Sequence, residues 1–397
     1  DEDFAAIKFA TGKRSLEAFI EERLAKKPAS AADPSQLMPF INIDDDVAGP
    51  MENATTTEGI LPLLHILELP NMRTCCRSRE TGMPAQLPLL HVQQKDKWSC
   101  GYRNLQILLS ALVPQLSHDH PYYSVLPATL KRSDIGVAVP IPSVNQLQTF
   151  LERAWVEGFD PRGADHYQGK IMGKESQIGA IEVSSLISWL SLDSVVIQFI
   201  KTQDSRSLLG PFVWSYFCKK AGQCYKCTQS AYNPTTCVAT AEALLNYAAT
   251  SEDDTEAAAC NCPLLPLYLQ WEGHSVTVVG IQRTDDTKAP SRAPSLPDPA
   301  RVGGFECDLL VFDPLKDGDY LHKTLSRAFE LESTVQAVAP MVLPAVNLLE
   351  KDCQIVMTSI RPITGAEKNS FRQRINAMTA SRRVSTKASA APKDNQY

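Results

Sequence analysis

An α+β fold with mostly antiparallel strand pairing is predicted by three observations. Apolar residues recur at helical spacing over Cys100–Leu112, Val144–Phe159 and Ala180–Leu192. From Asp193 onward the period shifts towards two, with β-rich runs at Val195–Ile200, His274–Ile281, Asp308–Phe312 and Cys353–Ile360. Helices first and several strands afterwards is the order of an α+β domain.

The 397 residues suffice for two average domains or one large domain with insertions. Hydrophobic residues make up 44% and charged residues 21%, enough apolar side chains to bury a sizeable core. The net charge of −6 argues against a general nucleic-acid binder, which carries a basic balance or face. Eleven cysteines form no disulfide-like framework, and "DEDFAAIKFATGKRS" lacks an apolar signal core. A membrane span needs about 18 uninterrupted apolar residues, and the sequence has no such run. The expected setting is therefore the cytosol or the nucleus.

In chain order, Leu16, Phe19, Ile20 and Leu24 share one helical face, with Ser15 as N-cap. Residues 26–59 are rich in Ala, Pro, Asp and Thr and read as a linker. Leu61–Leu69 returns to apolar character. The helix over Cys100–Leu112 carries Leu105, Leu108, Leu109 and Leu112 on one stripe. Six cysteines lie within 218–262, and 283–304 is a Pro-, Arg- and Asp-rich loop between two strands. From Arg361 the tail holds eight basic residues against Glu367 and Asp394, and its end, "ASRRVSTKASAAPKDNQY", reads as disordered.

A cysteine that opens a helix gains from the free backbone N–H groups and the positive dipole end, which favour thiolate over thiol. Cys100 stands at such a position in "KDKWSCGYRNLQILLSAL". Trp98 offers an apolar wall, and Ser99 and Gly101 leave room for a substrate backbone. A cysteine nucleophile needs a base, and the base an orienting group. In "LYLQWEGHSVTVVGIQ", Gly273 places His274 at the mouth of a β-branched strand, and "CDLLVFDPL" ends a buried strand in Asp313-Pro314. If those two strands are antiparallel neighbours, His274 and Asp313 fall at the same edge. Cysteine, histidine and aspartate in this order follow a papain-like site. Gln94 has the upstream spacing of an oxyanion glutamine, with Gln93 as its competitor.

The blocks "WSCGYRNLQILLSAL", "AWVEGFDPRGA", "IGAIEV", "PLYLQWEGHSVTVVGI" and "LLVFDP" resemble, in order, those of the zinc-finger-containing ubiquitin peptidases (ZUFSP-type deubiquitinases). These are related to the peptidases of the ubiquitin-fold modifier. The resemblance runs from about Leu89 to Pro314, and more weakly to Ile363. It implies a papain-like cysteine protease fold, the nucleophile helix packed on a mostly antiparallel sheet. Cys100 is then the nucleophile, His274 the general base and Asp313 its orienter. The implied activity is cleavage of polyubiquitin, with preference for lysine-63-linked and long chains, so the partners are ubiquitin and its chains. Asp160 and Glu182 match acidic positions that hold ubiquitin's arginine-rich tail. The chemistry suits this, because carboxylates form short bidentate bonds with guanidinium groups.

There are departures. No zinc-finger pattern precedes Cys100, since only Cys75 and Cys76 lie upstream, so the helix Ser15–Leu24 is a candidate ubiquitin-binding arm. The modifier proteases carry a histidine after Asp-Pro; "DPLKDG" does not, which favours the ubiquitin branch. Among Cys218, Cys224, Cys227, Cys237, Cys260 and Cys262 only "CYKC" has a knuckle spacing, so unpaired thiols are the simpler reading than zinc. No metal, cofactor, membrane or direct nucleic-acid partner is expected. The expected division is a helix plus linker over 1–59, a peptidase domain over 60–363 with insertions at about 218–262 and 283–304, and the basic tail over 364–397. Two rival readings are a protease for the ubiquitin-fold modifier and a catalytically silent ubiquitin-binding module.

Overall fold

The computed structural model describes residues 55–67, 72–75, 88–117, 119–126, 141–199, 209–218, 264–283, 307–328 and 334–388. The helix expected over Ser15–Leu24, the linker as far as 54, the insertion cysteines beyond Cys218 and nearly all of the 283–304 loop lie outside those residues.

The sheet is antiparallel at every described pairing. Its order is β4 (Leu192–Phe199), β9 (Cys353–Pro362), β5 (Leu267–Trp271), β6 (His274–Arg283), β7 (Cys307–Phe312) and β8 (Val342–Pro344). A short β2 (Met72–Thr74) pairs with the far half of β6. Separately, β1 (Thr56–Thr57) pairs with β3 (His91–Val92). The central strands are lined with Val, Ile, Leu and aromatic residues, and Leu267, Tyr268, Leu269, Val278 and Phe312 are fully buried. β5 was not anticipated. Its five residues pair β9 to β6, so it is buried mid-sheet and shows no alternating face.

Helix α2 (Cys100–Leu112) packs on β6, β5 and β3, with α4 (Val144–Val156) and α6 (Ala180–Trp189) on its other sides. The single apolar stripe suggested a one-sided helix, yet every residue of α2 is buried. Its polar side chains are absorbed internally. Gln106 Nε2 donates to the Pro142 carbonyl at 2.9 Å, Arg103 Nη1 to Gln106 Oε1 at 3.1 Å, and Ser110 Oγ to the Ile107 carbonyl at 2.7 Å. Helix α4 opens with a reciprocal cap in which Ser143 Oγ accepts from the Gln146 N–H and Gln146 Oε1 from the Ser143 N–H. Helix α6 presents Ser184 and Ser188 to Ser194 on β4, hydroxyl to hydroxyl.

Around this frame lie α1 (Ile60–Ile66), a short α3 (Tyr122–Val125), α5 (Pro161–His166), α7 (Leu209–Cys218), α8 (Gly318–Arg327), α9 (Thr334–Val338) and α10 (Gly365–Ala388). The last carries helix as far as Ala388, into the end expected to be disordered, and residues 389–397 lie outside the described residues. Phe371 and Ile375, one turn apart, are buried, and α10 packs along α6 and α5. Two apolar residues sufficed to seat a helix that composition alone presents as polar.

Candidate active site

Cys100 is the first residue of α2, placed there by a turn built on one carboxylate. Asp96 Oδ1 accepts from the N–H groups of Trp98 and Ser99 at 2.9 and 2.7 Å, and Oδ2 from the Ser99 hydroxyl at 2.7 Å. Ser99 spends its hydroxyl on Asp96, so the first backbone N–H groups of α2 have no side-chain cap. The Cys100 thiol therefore sits at the positive end of a 13-residue helix.

β6 and β7 run antiparallel, with Thr277 opposite Phe312, so the start of one strand meets the end of the other. There His274 Nε2 lies 2.9 Å from Asp313 Oδ1, which also accepts the Leu315 N–H at 3.0 Å. The carbonyl of Asp313 faces His91 Nε2 at 3.0 Å, and the Gln94 N–H donates to the Pro314 carbonyl at 2.8 Å. The Trp271 ring packs edge-on to His274 with centroids 5.4 Å apart. With Nε2 engaged by Asp313, Nδ1 is the ring nitrogen left for the thiol.

Asn104, one turn along α2 and fully buried, joins the helix to β6. Its Nδ2 donates to the Cys100 carbonyl at 2.9 Å and the Ser275 carbonyl at 2.8 Å and lies 3.1 Å from Ser275 Oγ. Its Oδ1 accepts from Thr277 Oγ1 at 2.7 Å. Helix α2 and strand β6 are thus tied to each other by one amide.

The ionisation of the site follows. Burial raises the Cys100 thiol pKa, but interaction with His274 and Ser275 outweighs it, and the net shift is downward. For His274, burial lowers the pKa, while Asp313 and Cys100 raise it more strongly, to about 9. Burial pushes Asp313 up, and the His274 bond and the Leu315 N–H bring it below the usual carboxylate range. Cys353 provides the contrast: a buried thiol without such partners is pushed up to about 11 by desolvation. A depressed thiol beside a raised imidazole is the signature of a thiolate–imidazolium pair.

Asp160 and Glu182 meet beside this site in a cavity of about 240 Å³, walled also by Arg162, His166, Gln270 and Gln354. Asp160 caps α5 from a left-handed backbone (φ 41°), Oδ1 accepting the Gly163 N–H at 3.1 Å. Glu182, in the first turn of α6, accepts the Gly179 N–H through Oε2 at 2.9 Å. Gly163 lets the two approach. A Cβ there would stand 2.1 Å from Asp160 Oδ2 and 3.3 Å from Glu182 Oε1. Asp160 is 1% exposed, and burial, then the charge of Glu182, raises its pKa to about 6. The cavity adjoins the surroundings of Cys100 on two sides. Ile178, just before Gly179, touches Gly101, and Gln270 lies opposite Ser275 across β5–β6.

The remaining expected residues are placed as follows. Gln94 is buried near the Cys100 loop with Nε2 on the Asp96 carbonyl at 2.8 Å. Trp98 is half-buried against Tyr102, centroids 5.8 Å apart. Gly273 is exposed at φ 83° in the β5–β6 hairpin, a backbone that glycine adopts without strain. Ser99 and Gly101 do not line a substrate path. Ser99 is fully buried on Asp96, and a Cβ on Gly101 would lie 2.6 Å from the Ile178 carbonyl oxygen. Asp96, Asn104, His91, Ser275 and Gly163 escaped sequence reasoning. A first hint was available for Asp96 alone, since Asx turns use an acidic residue two or three positions before the bonded N–H groups. Among the described residues, no cluster of three His, Cys, Asp or Glu side chains could hold a metal ion.

Comparison with known proteins bears on the chemistry. The chain is 30% identical over 321 residues to the mouse (Mus musculus) protein named zinc finger-containing ubiquitin peptidase 1, covering 80% of this chain and 42% of that protein. It is 27% identical over 334 residues to the human (Homo sapiens) protein of the same name, covering 83% and 45%. The chain thus spans less than half the length of these relatives. A fission yeast (Schizosaccharomyces pombe) protein named ubiquitin carboxyl-terminal hydrolase mug105 is 26% identical over 183 residues, covering 46% of this chain and 54% of that protein. A crystal structure of UfSP from C. elegans aligns with TM-score 0.36 and 12% identity, over 79% of this chain and 38% of that one. Residues 89–330 match the peptidase family C78, and they carry α2, β6, β7 and both carboxylates of the acidic cavity: this chain belongs to that family.

Proposed function

We propose that the protein is a deubiquitinating cysteine isopeptidase, with Cys100 as nucleophile, His274 as general base and acid, and Asp313 as the group that orients His274. The observation carrying this reading is the His274–Asp313 pair, 2.9 Å apart, beside a thiol of lowered pKa at a helix N-terminus. In the first step the Cys100 thiolate attacks the carbonyl carbon of ubiquitin's C-terminal glycine. The isopeptide C–N bond breaks as the His274 imidazolium gives its proton to the leaving lysine amine, and a thioester remains. Water then attacks the thioester with His274 taking its proton, releasing the ubiquitin carboxylate and the Cys100 thiolate. The oxyanion is held by the Cys100 N–H together with the Gln94 amide, which keeps one N–H beyond its bond to Asp96.

Asp160 and Glu182 supply the recognition. Two carboxylates in a cavity next to the nucleophile are suited to a guanidinium of the arginine-rich ubiquitin tail, and Trp98 and Gly273 are assigned to the Gly-Gly end that follows it. The preference for lysine-63-linked and long chains is supported by the family resemblance of the Cys100, His274 and Asp313 blocks. Residence in the cytosol or nucleus is supported by the thiols of Cys100 and Cys353, which form no disulfide. In addition, no helix among the described residues is long and apolar enough to cross a membrane.

The test uses C-terminal electrophilic probes of ubiquitin and of the ubiquitin-fold modifier in parallel, followed by a panel of chain linkages. The expected result is a ubiquitin adduct on Cys100, none in Cys100→Ala, and faster cleavage of lysine-63-linked chains than of other linkages. A Cys100→Ala protein that still cuts chains sinks the mechanism. Preferential labelling by the modifier probe would assign the other substrate, and no adduct with either would leave a silent binding module.

A further inference from the structure

Helix α10 packs on the segment that leads into the acidic cavity. Arg372 Nη1 donates to the Glu157 carbonyl at 2.8 Å, and Asn376 Nδ2 to the Gly158 carbonyl at 3.1 Å. Glu157 is the C-cap of α4, so these are carbonyls that a helix end leaves without intrahelical partners. The chain then runs through Gly158 at φ 87°, buried Phe159 and Asp160 at φ 41°. The turn is a glycine-capped helix end, in which the Gly158 N–H donates to the Trp155 carbonyl and the Phe159 N–H to the Ala154 carbonyl at 2.9 Å each. Helix α10 adds donors to its outward carbonyls, and the last residue of the turn is the more buried carboxylate of the cavity. Further contacts lock α10 to the same place. Phe371 and Ile375 are buried, the Lys368 ammonium sits 5.6 Å above the Trp189 ring, and Trp189 Nε1 donates to Glu157 Oε1 at 2.7 Å.

We infer that α10 is a positioning element of the recognition cavity: Arg372 and Asn376 hold the Glu157–Asp160 turn so that Asp160 meets Glu182 and selects arginine in the substrate tail. The inference rests on the proposed role of the cavity as the arginine subsite. The polar residues of the C-terminal segment then serve specificity through Asp160, and the chemical step at Cys100 is independent of them.

The experiment compares short fluorogenic peptides that end in Gly-Gly and carry arginine or alanine upstream, with the rate of Cys100 alkylation by iodoacetamide as a control. Arg372→Ala and Asn376→Asp each remove a donor from a carbonyl of the turn, the second placing an acceptor against the Gly158 oxygen. Each is expected to raise KM for the arginine peptide about tenfold, the size of one lost charge-assisted or frustrated hydrogen bond. The kcat values, turnover of the alanine peptide and the alkylation rate stay at wild-type levels. Arg372→Lys, which keeps a charged donor, is expected to restore part of the preference. Variants that retain the full arginine preference overturn the inference, as does an equal loss on both peptides together with slowed alkylation. A wild-type protein indifferent to arginine overturns the arginine subsite itself, and ubiquitin-probe labelling of Cys100 still stands apart from that result.

Discussion

At the scale of residues, the site is a competition between burial and charge. Cys100 and Cys353 are both buried thiols, yet one pKa is lowered and the other pushed up to about 11, because only Cys100 has an imidazole next to it. His274 gains from the same pairing, its pKa rising to about 9 against the cost of desolvation. Two different pH profiles follow. Alkylation needs only the thiolate, so its rate should rise with pH through the lowered Cys100 pKa and then stay level. Peptide cleavage also needs the imidazolium proton for the leaving amine, so it should fall again as pH passes about 9. In Asp313→Asn, which loses the main contact raising His274, the alkaline fall should move to lower pH. An alkylation midpoint at the ordinary thiol value would show that the pair does not form.

At the scale of elements, what matters is how closely α2 meets its neighbours. Gly101 lies with no Cβ between the helix and the Ile178 backbone, so Gly101→Ala drives a methyl within 2.6 Å of a carbonyl oxygen. Overpacking of this kind costs about 1–3 kcal/mol, and because α2 must move, Cys100 shifts from His274. A thermal scan and probe labelling should therefore both suffer, whereas Gly273→Ala, with nothing within 4 Å of its Cβ, should lose in the thermal scan only the ease of its positive φ. These elements were legible to different degrees. α2, α4, α6, β6, β7 and β9 carry enough apolar residues at one period to be read directly. β5 and α10 were hidden, the first by central burial and the second because two apolar residues hardly mark a helix. The meeting of Cys100, His274 and Asp313 was readable because strand ends place it. Asn104 was not, since the partner that gives it meaning lies 171 positions away.

At the scale of the whole molecule, the acidic cavity is where stability and recognition oppose each other. Asp160 and Glu182 are 22 positions apart in sequence, and the first turns of α5 and α6 and the bare Cα of Gly163 let them meet. The folded protein holds the Asp160 carboxyl at a pKa of about 6, above its ordinary 3.8. A carboxyl raised on folding contributes stability that is complete below the unfolded pKa and is lost as pH climbs through the folded one. Near neutral pH the ionised Asp160 thus costs the fold up to about 3 kcal/mol, from roughly two pKa units. Asparagine keeps the Asp160 geometry, because it tolerates the left-handed backbone and its oxygen still caps the Gly163 N–H. Asp160→Asn should therefore melt with wild type at pH 4 and several degrees above it at pH 7.5. The same protein should lose its preference for arginine in the tail, since a neutral amide leaves Glu182 as the one carboxylate of the cavity wall. Wild-type KM for an arginine peptide should likewise fall as pH rises through about 6, with kcat following the separate profile of Cys100. A variant that melts below wild type at pH 7.5 would mean that Asp160 is held by structural bonds and not kept under strain for a ligand.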